Sequence, residues 1–241
     1  MVTIAIVVLG HMKHRIDFGR IKAWSSELFT VLSISTRTTI PDGNGNWQEF
    51  DDDGLAFVEP VENVDLTVAI TEYALQDNYY ARPIGRGAVV LSFYEVADIL
   101  ELHDIPLEHF VIRNLYEFAM VVHLYGNHPE GVPDICHDET RSCLFDLNGI
   151  KSDVVYSTAC PTICERCRAR LSGAQLPAGT VHHLEKELAR IRKPLYFRMA
   201  SFIKQRPLLA LFIGAVAGLL LDVLGNWAYD GVRLLLAASS P

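Results

Sequence analysis

The chain has 241 residues, half of them hydrophobic, and its 29 acidic and 21 basic side chains give a formal net charge of −8. This length suffices for one domain with a sizeable core and an additional segment. Because binding to a phosphate backbone requires clustered Lys and Arg, the acidic balance argues against nucleic acid as the main partner. The opening "MVTIAIVVLG" lacks the charged start and the cleavage pattern of a secretion signal. We therefore expect the five cysteines to meet a reducing cytosol and to bind metal rather than to form disulfides.

The first part of the chain predicts a βαβ unit. Residues 4–9 are a continuous apolar run that ends in Gly10, which is the pattern of a central strand. Apolar residues at near-helical spacing predict a helix within 15–32, and the alternating stretch 31–40 predicts a second strand. The acidic, turn-rich stretch 41–54 follows, and we expect it to be a solvated loop.

Further strands and helices follow this unit. Two strands are predicted at 64–73 and 88–93, and the Gly-rich stretch between them lacks the order of a phosphate-binding loop. The pattern from 95 to 125 is helical, with an interruption near Pro106, and another helix is predicted at 181–199. Together these elements indicate an α/β fold.

Four cysteines after the long helical stretch suggest a metal site. Cys164 and Cys167 form a C-x-x-C, whose short reach lets both sulphurs bind one ion. Cys136 and Cys143 can supply the other pair of a tetrahedral zinc site with four cysteine ligands. Four thiolates fill the coordination shell and leave no position for water, so such a zinc stabilises a fold and does not activate a substrate.

Other arrangements of these residues stay open. His137 can replace Cys136 as a ligand, and Cys160 is near enough in sequence to serve as an alternate. Five unlinked thiols and a thioredoxin-type redox pair at Cys164 and Cys167 are the remaining interpretations.

The run from "HFVIRNLYEFAMVVHLYG" through "ICHDETRSCLFD" to "ICERCRARL" resembles the C-terminal half of the archaemetzincin-type zinc metalloproteases. In that family the active-site helix is followed by a cysteine-rich turn and then by a C-x-x-C that opens the last helix. The resemblance covers about 64–171, and it implies a mixed, mostly parallel sheet with flanking helices. It also implies that Cys136, Cys143, Cys164 and Cys167 hold a structural zinc.

The catalytic motif of this family is missing. A metzincin binds its catalytic zinc through H-E-x-x-H-x-x-G-x-x-H, and this chain contains no H-E-x-x-H. If Glu117 takes the place of the general base, Tyr116 and Met120 stand where the first two histidines belong, and Gly126 stands at the third. We therefore expect no catalytic zinc of the usual kind.

The C-terminal part predicts a membrane-spanning helix. Residues 208–228 provide roughly the 20 residues that a bilayer-spanning helix requires, and 207–221 contain no charge. Gly214 and Gly218 form a small-xxx-small face for packing between such helices, and Asp222 lies toward the end of the span. Basic residues are more frequent before the span than after it, so we expect the N-terminal domain on the cytoplasmic side.

The resulting prediction has three parts: a cytosolic metzincin-like domain (1–176), an amphipathic basic helix or linker (177–206), and a transmembrane helix with a short tail (207–241). Its function would be to bind an unknown protein or small molecule and to signal to an oligomeric membrane segment, as in a membrane-disrupting effector of phage defence. One alternative is a membrane-tethered protease that uses Glu117 and His123 with a nonstandard third ligand. The other is a membrane scaffold.

Overall fold

The computed structural model describes residues 1–43, 49–85, 87–126, 134–138, 140–192, 199, 202–203, 206–219 and 221. The chain divides into two compact units, Met1–Lys193 and Pro194–Pro241.

The first unit is built on a five-stranded mixed sheet with the strand order β2-β1-β3-β5-β4. The strands are β1 (Val2–Leu9), β2 (Phe29–Arg37), β3 (Leu66–Thr71), β4 (Ala81–Pro83) and β5 (Ala88–Ser92). The first three and β5 run parallel, and β4 lies antiparallel to β5 at the edge. Every residue of β3 and β5 is buried, as expected for strands that are covered on both faces. The predicted α/β fold with a mixed, mostly parallel sheet and flanking helices is confirmed.

In the described part of this unit, six helices flank the sheet. They are α1 (Phe18–Lys22), α2 (Val96–Leu102), α3 (Leu107–Tyr125), α4 (Val154–Ala159), α5 (Glu165–Gly173) and α6 (Thr180–Leu188). The longest of them, α3, follows Pro106 directly and is buried along most of its length. It therefore forms the centre of the helical layer, and the predicted interruption at Pro106 separates it from α2.

The strand β1 contributes side chains to two separate hydrophobic cores. Successive residues of a strand point to opposite faces of the sheet, so alternate residues of β1 lie in different cores. Ile4 and Ile6 pack in the larger core with Ile21 of α1 and with α3. Leu9 packs in the smaller core with Phe50, among other residues of the segment between β2 and β3. The β1–β2 and β2–β3 connections thus cover opposite faces of the sheet.

Two local predictions were wrong in extent. The helix expected within 15–32 is only the five residues of α1, and β2 begins at Phe29, because residues after Ala23 serve tertiary contacts instead. Trp24 donates its indole N–H to the Tyr116 hydroxyl at 2.8 Å. The Gly-rich stretch before β5 contains a strand, β4, that its composition did not indicate. Residues 44–48 of the predicted loop lie outside the described part of the chain.

The first unit continues past the predicted boundary at 176. Leu184 and Leu188 of α6 and the following Ile191 are buried in the larger core, so α6 belongs to the domain rather than to a linker. The predicted helix at 181–199 begins as α6, and residues 193–198 lie outside the described residues.

In the second unit, residues 207–219 are helical, and their large apolar side chains, such as Leu208 and Leu211, are exposed. Gly214 and Gly218 lie in this stretch, whereas Asp222 and the rest of the predicted span are not described. Within the described residues, no helix combines the length and the apolar character that a bilayer crossing requires. The transmembrane helix stays a prediction.

Candidate metal centre and adjacent cleft

Backbone hydrogen bonds hold the cysteine-rich segments together. The amide of His137 donates to the carbonyl of Phe145 at 3.1 Å. The amide of Leu144 donates to Thr162 at 2.7 Å, and the amide of Thr162 donates back to Ser142 at 2.8 Å. These bonds join three loop segments that are distant in sequence, so side chains on each of them meet at one point.

The residues that meet are His137, Cys143, Cys164 and Cys167, whose ligand atoms all lie within 4.8 Å of one another. The sulphurs of Cys143 and Cys167 are 3.9 Å apart, and the Cys164 sulphur is 3.5 Å from His137 Nε2. Tetrahedral zinc with ordinary bond lengths places two thiolates about 3.8 Å apart, and a thiolate and an imidazole nitrogen about 3.6 Å apart. The arrangement is therefore compatible with zinc.

Groups around the cluster orient its ligands. Nδ1 of His137 lies 3.3 Å from the carbonyl oxygen of Asp138, which leaves Nε2 facing the sulphurs. Cys164 is the N-cap of α5, and its sulphur accepts the amide N–H of Cys167 at 3.5 Å. The C-x-x-C thus sits at the N-terminus of α5, with Cys164 at the N-cap and Cys167 in the first turn.

The two buried thiols of the cluster share a proton unequally. The contact with Cys167 lowers the pKa of Cys143 to about 5, although burial opposes this shift. The same contact, together with burial, raises the pKa of Cys167 far above the usual range of a thiol. A cation between the sulphurs would take over the role of this proton and would hold both residues as thiolates.

The ligand set differs from the predicted four-cysteine set at one residue. Cys136 is outside the cluster, and its sulphur lies 4.0 Å from Glu117 Oε1. His137 takes its place in the cluster. Adjacent residues in extended backbone point in opposite directions, and His137 is the one that forms the β-bridge with Asp146, so its side chain faces the cluster while that of Cys136 faces away. The alternative with His137 was open in the sequence, whereas Cys160 is exposed and does not join the group.

Arg113 of α3 supports the loop that carries this cluster. Its side chain is fully buried and donates hydrogen bonds to the backbone carbonyls of Leu144 and Asp146 at 2.5 and 3.3 Å. It also forms an ion pair with Glu117, with Nη1 2.6 Å from Oε2. Arg113 was not among the residues predicted from the sequence, although its spacing of four residues from Glu117 on a predicted core helix was the available signal.

The three positions that replace the catalytic motif have other roles here. Tyr116 donates its hydroxyl to Glu187 at 2.7 Å, and Met120 is completely buried in the larger core. Glu117 is ion-paired with Arg113, and burial raises the pKa of its carboxyl to about 7. None of the three belongs to a group of potential metal ligands within the described residues.

Glu117 and His123 do not converge, contrary to what the protease alternative requires. Six residues along α3 place the two side chains about 120° apart around the helix axis. The charges that act on His123 are the N-terminus and Asp65, whereas Glu117 faces Arg113 and Cys136. His128 lies outside the described residues.

A cleft of about 440 Å³ runs between the edge strand β4 and the helix α3. Glu117 and Cys136 contribute polar atoms to it, and Phe118, Val121 and Val122 of α3 supply apolar wall. The strand side consists of the segment from Tyr79 to Pro83 together with Ala88 and Val89. The cleft has the size and the mainly apolar lining of a ligand site.

The chain matches no protein-family model and no curated protein. Its structure is similar to the crystal structure of archaemetzincin from Methanopyrus kandleri, with a TM-score of 0.44 and 17% sequence identity. The similarity covers 70% of this chain and 93% of the archaemetzincin chain, and it concerns the fold alone.

Proposed function

We propose that the first unit is a zinc-stabilised binding domain whose cleft between β4 and α3 holds an extended peptide segment without hydrolysing it. The observation that carries this proposal is the state of Glu117. Its carboxylate lies in the cleft wall on the side of α3, and it is bound to Arg113 rather than placed among metal ligands. Glu117 belongs to no group of potential metal ligands within the described residues, so nothing there would hold the zinc that activates a water beside such a base.

Zinc bound by His137, Cys143, Cys164 and Cys167 has a structural role in this proposal. All four positions of a tetrahedral ion are then filled by protein, so no open site remains for a substrate. Bound zinc supplies a crosslink between the loop before α4 and the start of α5. It thereby fixes the wall of the cleft on which Cys136 lies, next to the ligand His137.

The edge strand explains why the occupant is a peptide. In β4 the hydrogen-bonded positions face β5, since Ser92 donates to Tyr80 and Ile84 donates to Ala88. By alternation, the N–H and C=O of Ala81 and the carbonyl of Pro83 point away from β5. An extended peptide can pair with this free edge and place alternate apolar side chains against Phe118 and Val122.

The second unit provides a membrane anchor in this proposal. Its support is the run of uncharged residues at 207–221 and the exposed apolar side chains of the helical residues 207–219. The domain would then present its cleft at a cytoplasmic membrane surface, and Gly214 and Gly218 would bring copies of the span together. A peptide in the cleft would be the signal that such an oligomer responds to.

The test uses the full chain in mild detergent and an immobilised library of random dodecamer peptides. We expect enrichment of peptides with alternating apolar residues. We also expect Val122→Trp, which fills the cleft, to abolish the enrichment. The enriched peptide methylated on alternate backbone nitrogens is the matched control, and it should not bind if main-chain pairing with β4 provides affinity.

A hydrolysis assay on the same peptides separates binding from catalysis. Mass spectrometry should show intact peptides after prolonged incubation with the zinc-loaded protein. Cleavage that disappears in Glu117→Gln would overturn the proposal and support the protease alternative. If the wild-type chain enriches no peptide more strongly than the Val122→Trp variant does, the cleft does not bind peptides.

A further inference from the structure

A second crevice of about 500 Å³ lies at the carboxyl ends of the parallel strands, away from the metal centre. It is lined by the residues that follow three strands: His11 and Lys13 after β1, Glu72 and Tyr73 after β3, and Tyr94 and Glu95 after β5.

The topology places a switch point at this crevice. From β1 the chain moves to β2 on one side, and it then returns to β3 on the other side of β1. The segment after β1 packs Ile16 and Ile21 in the larger core on one face of the sheet, whereas the segment after β3 packs Leu75 in the smaller core on the other face, so these two segments diverge. Open α/β sheets bind ligands in the crevice that such a divergence leaves at the carboxyl ends.

The wall after β1 is held firmly by Glu72. Its carboxylate accepts the backbone N–H of Lys13 at 2.9 Å and that of His14 at 2.8 Å, and it lies 3.0 Å from Nδ1 of the His14 ring. Because the backbone of Lys13 is fixed while its ammonium forms no ion pair within the described residues, this cation is available to a ligand.

Two tyrosine rings stand in the crevice, and each is supported on one side. Tyr73 packs against Phe50 at a centroid distance of 5.8 Å and against Gly10, where a Cβ would come within 2.9 Å of the ring. The Tyr94 ring has the ammonium of Lys151 at 5.2 Å from its centroid. The two residues remain 40% and 43% exposed, so each leaves part of its ring accessible to a ligand.

Two residues that line the crevice have a left-handed backbone conformation. Asn78 and Glu95 both adopt a positive φ, of 57° and 60°, and the Asn78 amide donates to the Glu95 carboxylate at 2.8 Å. Positions of this kind cost free energy and are concentrated at functional sites.

We propose that this crevice binds a mononucleotide. The base would stack on the exposed faces of Tyr73 and Tyr94, because any base has a π-face that tolerates such stacking. The phosphate would lie at the ammonium of Lys13, with the His11 ring as a further hydrogen-bonding partner, and the carboxylate of Glu49 would accept hydrogen bonds from amino groups of the base.

The size of the crevice and the charges of its lining favour a whole mononucleotide over a free phosphate or a free nucleoside. The crevice is too large for a phosphate alone, and its lining places one lysine, Lys13, beside the carboxylates of Glu49, Glu72 and Glu95. A ligand that fits these groups offers hydrogen-bond donors to the carboxylates as well as an anionic group to the lysine. The inference is independent of the peptide cleft, whose lining residues are different.

The test is calorimetric titration of the full chain in mild detergent with AMP, GMP, CMP and UMP, and separately with adenosine and inorganic phosphate. We expect saturable binding of one nucleotide per chain, weaker binding of adenosine, and no measurable binding of phosphate. Lys13→Ala should weaken nucleotide binding about tenfold and adenosine binding less than twofold, since it removes one charge-assisted contact. Lys22→Ala is the matched control on an exposed lysine outside the crevice and should change neither affinity.

A second pair of variants tests the stacking. Tyr94→Ala should weaken nucleotide and adenosine alike, by at least about fivefold, whereas Tyr94→Phe should match the wild type. Val122→Trp, which blocks the peptide cleft, should leave nucleotide binding unchanged. The proposal is wrong if none of the four nucleotides binds saturably, or if Lys13→Ala and Lys22→Ala have equal affinities.

Discussion

Arg113 and Glu117, one turn apart on α3, form a buried ion pair with Nη1 of the guanidinium 2.6 Å from Oε2 of the carboxylate. The same guanidinium binds the Leu144 carbonyl beside the ligand Cys143. One side chain thus pairs with Glu117 in the wall of the cleft and holds the loop that carries the candidate metal cluster.

Replacing Arg113 should therefore be costly. Arg113→Met leaves Glu117 buried without its cation and the Leu144 carbonyl without its donor. We expect the free energy of unfolding to fall by about 3–5 kcal/mol in urea denaturation. Arg168→Met is the control, because it removes an ion pair with Glu185 whose side chains are 50% and 35% exposed, and such pairs contribute about 0–1 kcal/mol. Equal losses of unfolding free energy in the two variants would show that the buried ion pair of Arg113 stabilises the fold no more than an exposed one.

The ligand set of the metal centre can be tested with two adjacent residues. His137→Ala should abolish zinc binding, since it removes one of the four converging ligand atoms. Cys136→Ser should keep one zinc per chain, because its sulphur faces Glu117. Zinc per chain is measured by mass spectrometry of the purified protein. Retention of zinc in His137→Ala with loss in Cys136→Ser would restore the four-cysteine set.

Tyr116 and Glu187 join α3 to α6 through a buried hydrogen bond of 2.7 Å. Glu187 also accepts from Ser26 at 2.6 Å and from the amide of Glu27 at 2.8 Å. Tyr116→Phe leaves the indole N–H of Trp24 and one oxygen of Glu187 without this partner. We expect a loss of about 1–3 kcal/mol in the free energy of unfolding. Tyr125→Phe, near the exposed end of α3, is the matched control and should cost less.

The sequence was informative where one local pattern determines the structure. The continuous, β-branched apolar runs of β1, β3 and β5 are typical of buried strands, and the C-x-x-C at Cys164 has the short reach that lets both sulphurs bind one ion. Contacts across the chain were not accessible in this way. The choice between Cys136 and His137 depends on which of two neighbouring side chains faces α5, and it is set by the bridge to Asp146.

Tertiary packing also decided α1 and β4. The apolar spacing of 15–32 suits a helix, yet Leu28 and Phe29 are buried at the start of β2, and a longer α1 would remove them from the core. The strand β4 is three residues long and contains Pro83, so composition predicts a loop there. It pairs because its neighbour β5 offers an edge, which is information that the local sequence lacks.

The predicted membrane span leads to a separate test of the second unit. We expect the full chain to float with liposomes on a density gradient, and a chain ending at Arg206 to remain at the bottom. Gly214→Leu/Gly218→Leu should still float, because it keeps the span apolar, but it should lose chemical crosslinking between copies in the bilayer. Flotation of the shortened chain would show that another part of the protein binds lipid.

The final prediction concerns His109 in α3 and the pH dependence of folding. His109 is 1% exposed, and its Nδ1 has no hydrogen-bond partner among the described residues. Burial, assisted by the nearby charge of Arg20, lowers the pKa of His109 from its ordinary value of 6.5 to about 4. Between these two values the unfolded chain binds a proton that the folded chain does not, so stability rises with pH in this window and is lost as the solution is acidified from pH 6.5 toward 4.

The size of this effect follows from the difference in pKa. At about pH 4.5 the wild type should have lost about 2–3 kcal/mol through His109 relative to about pH 7.5. In His109→Gln this part of the loss should be absent, while carboxylates and zinc ligands titrate in both proteins. Urea denaturation at half-unit steps across this pH range gives the two slopes. Parallel slopes would mean that His109 takes up its proton in the folded state, and that the pocket around Nδ1 opens to water at little cost.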